Sequence, residues 1–329
     1  MKLRIVFILT LCLSLSALNA LVLPEEHQYE FRGTVLQVDG RPFRDVVPVI
    51  FLHGATDSFA TQTTADRGGN FKFEKLLPGM YTLIIAVPRW GQMQQTIEVG
   101  PSLSDSKGRI ETTFQFDPRY ADQDENTIST TRLSIPDDAI KEYMRAQDRM
   151  EKRDVPGAVE YLTKAVEMAP QFADAWNNLG TLAYHSKEYR QAEEYFREAL
   201  QQEADFYLPL VNLGGALLSQ GKIEESLTIN LRAVETKPDD ALAQSQLGQS
   251  HFFLGQLDTA ETHLKQAKAL DPRHFSYPQL VLAQIYQLRQ DSASQIGEFE
   301  EFLQYHPDSK LVPQVTEWLR QARARESNL

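Results

Sequence analysis

His53 is the first residue in this chain that invites a catalytic reading. It closes the apolar run Val49-Ile50-Phe51-Leu52 and precedes Gly54; a His-Gly at the end of a strand can help build an oxyanion hole for acyl transfer. That chemistry needs a nucleophile elbow, Gly-x-Ser-x-Gly, further along. The nearest string, Gly248-Gln249-Ser250-His251-Phe252, lacks the second glycine. His53 is therefore read as a loop residue after a buried strand. Asp66 and Asn70 suggest a calcium loop, but a loop of that kind needs further acidic ligands and a closing Glu, whereas Phe71 and Phe73 follow here. Asp66-Arg67-Gly68-Gly69-Asn70 reads instead as a hairpin turn. His251, His263 and His274 could ligate a metal, yet a site needs converging ligands with outer support. Positions 12 apart on different helices do not establish that. The acidic pairs Glu193-Glu194 and Glu224-Glu225 read as solvated helix faces. No enzyme, cofactor or metal site is expected.

Composition narrows the class. Net charge is −12 over 329 residues. An acidic chain without a basic cluster is a poor nucleic-acid binder, because phosphate neutralisation drives that affinity. Lys2 and Arg4 precede an apolar run, Ile5 to Leu18, and Ala17-Leu18-Asn19-Ala20 offers a cleavage point. Residues 1–20 are read as a signal peptide, and the chain as exported, to the periplasm or outside the cell, with no membrane span after cleavage. Leu18 is larger than the usual small residue, and the alternative is an uncleaved anchor. Cleavage leaves 31 basic against 45 acidic residues and removes Cys12, the single cysteine. The remaining chain has no thiol chemistry and no disulfide.

The residues above must be carried by two kinds of element. From Tyr29 to Phe116 short β-rich runs alternate with turns: Phe31 to Leu36, Val46 to Leu52, Phe71 to Phe73, Tyr81 to Val87, Thr96 to Val99 and Ile110 to Phe116. Roughly seven strands at this spacing predict a β-sandwich over 24–117. Gly33-Thr34-Val35, Asp39-Gly40, Thr64 to Phe71 and above all Leu77-Pro78-Gly79-Met80-Tyr81-Thr82-Leu83 resemble the carboxypeptidase regulatory-like domain. That resemblance implies a transthyretin-like sandwich with an accessory, non-catalytic role. Trp90, in the loop Pro88-Arg89-Trp90-Gly91, reads as a cap over the sandwich edge. Together with Phe59 and Tyr81 it also motivates a second reading, glycan binding by the sandwich.

Residues 118–138 are polar and read as a linker. Beyond them a 34-residue grid governs the chain. Pro170, Ala204, Pro238 and Pro272 fall on it, as do Gly180, Gly214 and Gly248, and Ala158, Ala192, Ser226 and Ala260. Small residues at fixed slots let paired helices approach, and proline ends the second helix. With Trp176, Leu179, Ala192, Phe196 and Ala199 in the clearest unit, the pattern resembles the tetratricopeptide repeat. It implies about five helical hairpins over 139–308 and a capping helix over 309–329. The fifth unit is shifted by one residue and carries Gln295 at its small-residue slot.

In that family, ligands lie along the concave face made by the first helix of each hairpin. By register, the candidates here are Tyr143, Gln147, Asn177, Thr181, Tyr184, Asn212, Gln249, Phe252 and Gln284. The set is polar and aromatic and lacks the Lys and Arg of the family's carboxylate clamp. The expected function is a non-enzymatic exported adaptor holding a protein or peptide partner, with the sandwich as a positioning domain.

Overall fold

The computed structural model describes residues 27–117 and 134–326; residues 1–20, read as a signal, and most of the linker lie outside them. Seven strands form among the described residues: β1 (Tyr29–Gln37), β2 (Val49–Gly54), β3 (Ala60–Thr64), β4 (Asn70–Leu76), β5 (Gly79–Val87), β6 (Gly91–Val99) and β7 (Arg109–Phe116). They make a three-stranded sheet, β4-β1-β7, and a four-stranded sheet, β3-β2-β5-β6. Both sheets feed one core: Phe31, Phe71 and Phe114 from the first meet Ile50, Leu52, Leu83 and Ile85 from the second. Strand β2 begins at Val49 rather than Val46, directly after Pro48, which has no N–H to add to a ladder. Strand β3 was not anticipated, because Ala60-Thr61-Gln62-Thr63-Thr64 has no apolar alternation. The turn at Asp66 is tight but not the expected hairpin, because it joins β3 of one sheet to β4 of the other. Its Oδ1 accepts from the backbone N–H of Gly68 (2.7 Å) and Asn70 (2.8 Å), and Gly69 has φ +84°.

Eleven helices follow among the described residues: α1 (Asp137–Glu151), α2 (Val155–Met168), α3 (Ala173–His185), α4 (Tyr189–Gln202), α5 (Tyr207–Ser219), α6 (Ile223–Thr236), α7 (Ala241–Phe253), α8 (Leu257–Leu270), α9 (Pro278–Leu288), α10 (Ser292–Tyr305) and α11 (Val312–Glu326). The first ten pair as five hairpins. Helix α1 begins inside the segment assigned to the linker, and Ile135 is already buried in the first hairpin's core. The helical part therefore starts near residue 134. An apolar residue that can pack beside Ala139 gains more by burial than by staying in a solvated connection.

The grid has a visible cause. A Cβ on Gly180 would lie 2.5 Å from the Phe196 ring, one on Gly214 1.8 Å from Asn230 Oδ1, and one on Gly248 2.7 Å from Leu264. Each glycine thus admits a side chain from the second helix of its own hairpin. The turn inside each hairpin repeats too: Arg153, Lys187, Gly221, Gly255 and Gln290 all have φ between 55° and 75°. At the last of these the grid slips by one residue. Gln295 is buried and bonds Gln287 and Arg325, so the capping helix α11 supplies its partner. Val315, Leu319 and Ala322 of α11 close the core of the fifth hairpin.

Candidate partner-binding groove

The first helix of each hairpin is α1, α3, α5, α7 or α9. Successive members are joined by side-chain bonds 35 residues apart. Asn178 Nδ2 donates to Tyr143 Oη (3.0 Å), Asn212 Nδ2 to Asn177 Oδ1 (3.1 Å), and Tyr184 Oη pairs with Ser219 Oγ (3.3 Å). The spacing is the repeat plus one, the offset at which one helix meets its neighbour. The polar row read from register is thus brought together in its first three hairpins, but it is partly spent on itself. Asn177 is only 6% exposed, so it orients Asn212 rather than facing solvent. Thr181 Oγ1 bonds its own helix at the Asn177 carbonyl, and Gln249 Nε2 bonds Ser245 Oγ (3.3 Å). Phe252 packs into the core of the fourth and fifth hairpins. Gln147 is exposed and Gln284 half-buried. Asn178 and Ser219, absent from the sequence-based set, complete the row; their 35-residue relation to Tyr143 and Tyr184 is the signal that finds them.

The four-stranded sheet meets the helical part at two places. Register places Ala60, His53, Thr82 and Thr96 in one row through β3, β2, β5 and β6, all pointing away from the sandwich core. Ala60, at one edge, packs against the first hairpin. At the other edge, the backbone N–H of Thr96 donates to Asp271 Oδ2 (3.0 Å), just after α8 of the fourth hairpin. His53 sits mid-row. It is exposed, yet burial by the surrounding protein lowers its imidazole pKa. A side chain that meets water at the bottom of a cleft has both properties. His53 is thus a strand residue, not a loop residue.

Both docking points are strongly polar. At the first, Arg153 stacks its guanidinium over Phe59 (4.3 Å), donates to Tyr81 Oη (3.1 Å) and pairs with Asp57 (3.3 Å). Thr61 donates to Glu151 (3.0 Å). At the second, the Asp308 N–H donates to Glu98 Oε1 (3.2 Å), and the Ser102 N–H donates to the Asp308 carboxylate (3.0 Å). Burial, then the Asp308 charge, pushes the Glu98 carboxyl up to about 7. His274 and His306 lie below this contact, and burial holds them near 3 and 4.

Other sequence-based candidates fall away. Phe59 and Tyr81 are buried, and Trp90 packs edge-on against Phe43 (5.3 Å). The three aromatics therefore form no exposed platform for a sugar. Ser250 is fully buried, with its hydroxyl bonded to Ser226 (2.7 Å) and Asn230 (3.0 Å), so it is out of a substrate's reach. His251 and His263 do approach each other, with ring centres 5.6 Å apart. No cluster of three or more His, Cys, Asp or Glu that could hold a metal occurs among the described residues. Nor is any helix there long and apolar enough to cross a membrane.

Comparison with known proteins agrees with the helical part. Tetratricopeptide-repeat family models match residues 143–207, 183–247 and 241–274. A STIP1 homolog of Dictyostelium discoideum is 28% identical over 102 residues, 31% of this chain and 18% of that protein. A TPR repeat-containing protein of Rhizobium etli is 25% identical over 157 residues, 46% of this chain and 77% of its own. The first two curated relatives are therefore matched over less than a fifth of their length. Among solved structures, the APC/C hetero-tetramer Cut9-Hcn1 superposes with TM-score 0.51 at 18% identity, covering 59% of this chain and 38% of that one. MamA of Desulfovibrio magneticus RS-1 gives 0.49 at 18% identity, covering 54% and 99%. Residues 143–274 of this chain are tetratricopeptide repeats.

Proposed function

We propose that this chain is a non-enzymatic, exported adaptor that holds a protein or peptide segment between its repeat groove and the sandwich. The carbohydrate reading of the sandwich is dropped, since its aromatics are spent internally. One observation carries the proposal: an uncharged row of Asn, Tyr and Ser along successive first helices. Such side chains donate and accept, which suits the alternating N–H and C=O groups of an extended chain. The carboxypeptidase regulatory-like resemblance supports an accessory, positioning role for the sandwich. Export rests on Lys2, Arg4 and the apolar run after them.

The test uses the mature chain immobilised against envelope extract, with Tyr184→Ala and Asn212→Ala as groove variants and surface Glu224→Ala as control. A partner retained by wild type and control but lost from both groove variants, with melting midpoints preserved, is the expected result. Equal retention by all three sinks the groove assignment. Amino-terminal sequencing of the exported protein checks cleavage after Ala20.

A further inference from the structure

Glu98, Asp271 and Asp308 bring three carboxylates to the second docking point. Among the described residues, Arg273 is the only cation within 4.0 Å of any of them. Each acid is tied across the joint by a backbone amide: Glu98 by Asp308, Asp271 by Thr96 and Asp308 by Ser102. Glu98 is only 5% exposed, and its Oε2 is buried with no hydrogen bond. Arg273 Nη1 stands 3.9 Å from that oxygen, outside hydrogen-bond reach, and donates instead to the Tyr305 carbonyl (2.9 Å). Tyr277, His274 and His306 surround the same point. Burial raises the Tyr277 phenol and lowers His274 and His306 to about 3 and 4, so all three are neutral near pH 7. None of them answers a charge on Glu98. Asp271, also buried, is raised in the same direction as Glu98.

A carboxylate in this position lacks the donors that would replace water, and it faces a second carboxylate. The neutral acid escapes both costs. The joint is also a seam between two bodies. The sandwich core and the core of the fifth hairpin share no residue, so each stands closed on its own at this end. The first docking point is built differently. There Ala60 enters the core of the first hairpin, and Arg153 covers Phe59. A charge arriving at Glu98 is therefore relieved by parting the second seam, which costs less than opening either core.

We propose that the second docking point is a proton-operated latch: a proton on Glu98 keeps the β6 edge seated on the last two hairpins, and its loss releases that edge while the first docking point acts as the hinge. The folded pKa of Glu98, about 7, lies above the ordinary 4.5, so the latch is closed below pH 7 and opens as pH rises through it. His306 and His274 titrate well below this range and do not oppose it. Release leaves the outer N–H and C=O groups of β6 free to take another strand.

Hydrogen exchange of the full chain at pH 6 and pH 8.5, read by mass spectrometry and corrected for the intrinsic rate at each pH, tests the latch. In wild type, protection of the segments carrying the Thr96, Ser102 and Asp308 amides should fall about 10-fold between the two conditions. Glu98→Gln keeps an oxygen for the Asp308 N–H and cannot ionise, so it should remove most of that fall. Protection in β2 and in α1 should hold in both proteins. No fall in wild type, or an equal fall in the variant, overturns the latch. A fall shared equally by β2 and α5 also overturns it, because the whole molecule is then opening. If Glu98→Gln fails to fold, Asp308→Asn decides. It removes the facing charge and keeps an oxygen for the Ser102 N–H. Its fall should be smaller than that of wild type, and an equal one overturns the proposal.

Discussion

Glu98 titrates near neutrality because it is buried in the second docking point beside Asp308. Its folded pKa of about 7 exceeds the ordinary 4.5, so the folded chain holds the proton that the unfolded chain has lost. Stability is then full below pH 4.5 and falls as pH rises through 7, by up to about 3 kcal/mol. Glu98→Gln keeps an oxygen for the Asp308 N–H and carries no charge. Urea denaturation should show this variant more stable than wild type at pH 8 and equal to it at pH 4.5. His306 works in the opposite direction. Burial lowers it from 6.5 to about 4, so its contribution is intact above pH 6.5 and is lost as pH falls through 4. Both its ring nitrogens are buried without a hydrogen bond, between Tyr277 and Phe302. His306→Phe should lessen the drop in melting midpoint between pH 6.5 and pH 4. Neither titration was legible in the sequence. Glu98 reads there as one polar residue of an alternating strand, and the group that perturbs it lies 210 residues away.

The hairpins were legible because the same slot recurs with the same residue type. What the grid hides is conformation. Lys187 occupies the left-handed turn position that Gly221 and Gly255 fill elsewhere. A side chain there costs about 1 kcal/mol or more, and glycine is the preferred residue just past a helix end. Lys187→Gly should raise the free energy of unfolding by about 0.5–1 kcal/mol, read from denaturation midpoints. Arg153 holds the same conformation, but its contacts with Asp57, Phe59 and Tyr81 offset the strain. Strand β3 escaped notice for a related reason: as an edge strand it buries little on either face, and burial is what writes alternation into a sequence. The groove candidates lie on first helices of the hairpins, but register alone could not show that Asn177 is committed to Asn212.

At the scale of the whole molecule, the two edge strands of one sheet are covered by opposite ends of the solenoid. An uncovered edge is a template for unwanted pairing; here Asp271 takes up the Thr96 N–H. Arg153→Ala combined with Asp271→Ala should release the sandwich. Calorimetry should then resolve two unfolding transitions where wild type shows one. Hydrogen exchange at the Thr96 amide should quicken, while exchange within α5 stays unchanged. A single transition in the double variant would mean that the remaining contacts, at Ala60, Thr61 and Asp308, hold the joint without Arg153 and Asp271. No local pattern announced this docking, because its bonds join residues 72 to 210 apart and involve common surface types.

The same span bears on the order in which the molecule is built. The sandwich leaves the ribosome before the helices, yet its second edge is held by Asp271 and Asp308, which are made well after it. At about 5–20 residues per second the two are separated by roughly ten seconds or more of synthesis. For that interval β6 is an open edge, and nascent chains stalled before residue 271 are where a chaperone or a stray strand would find it.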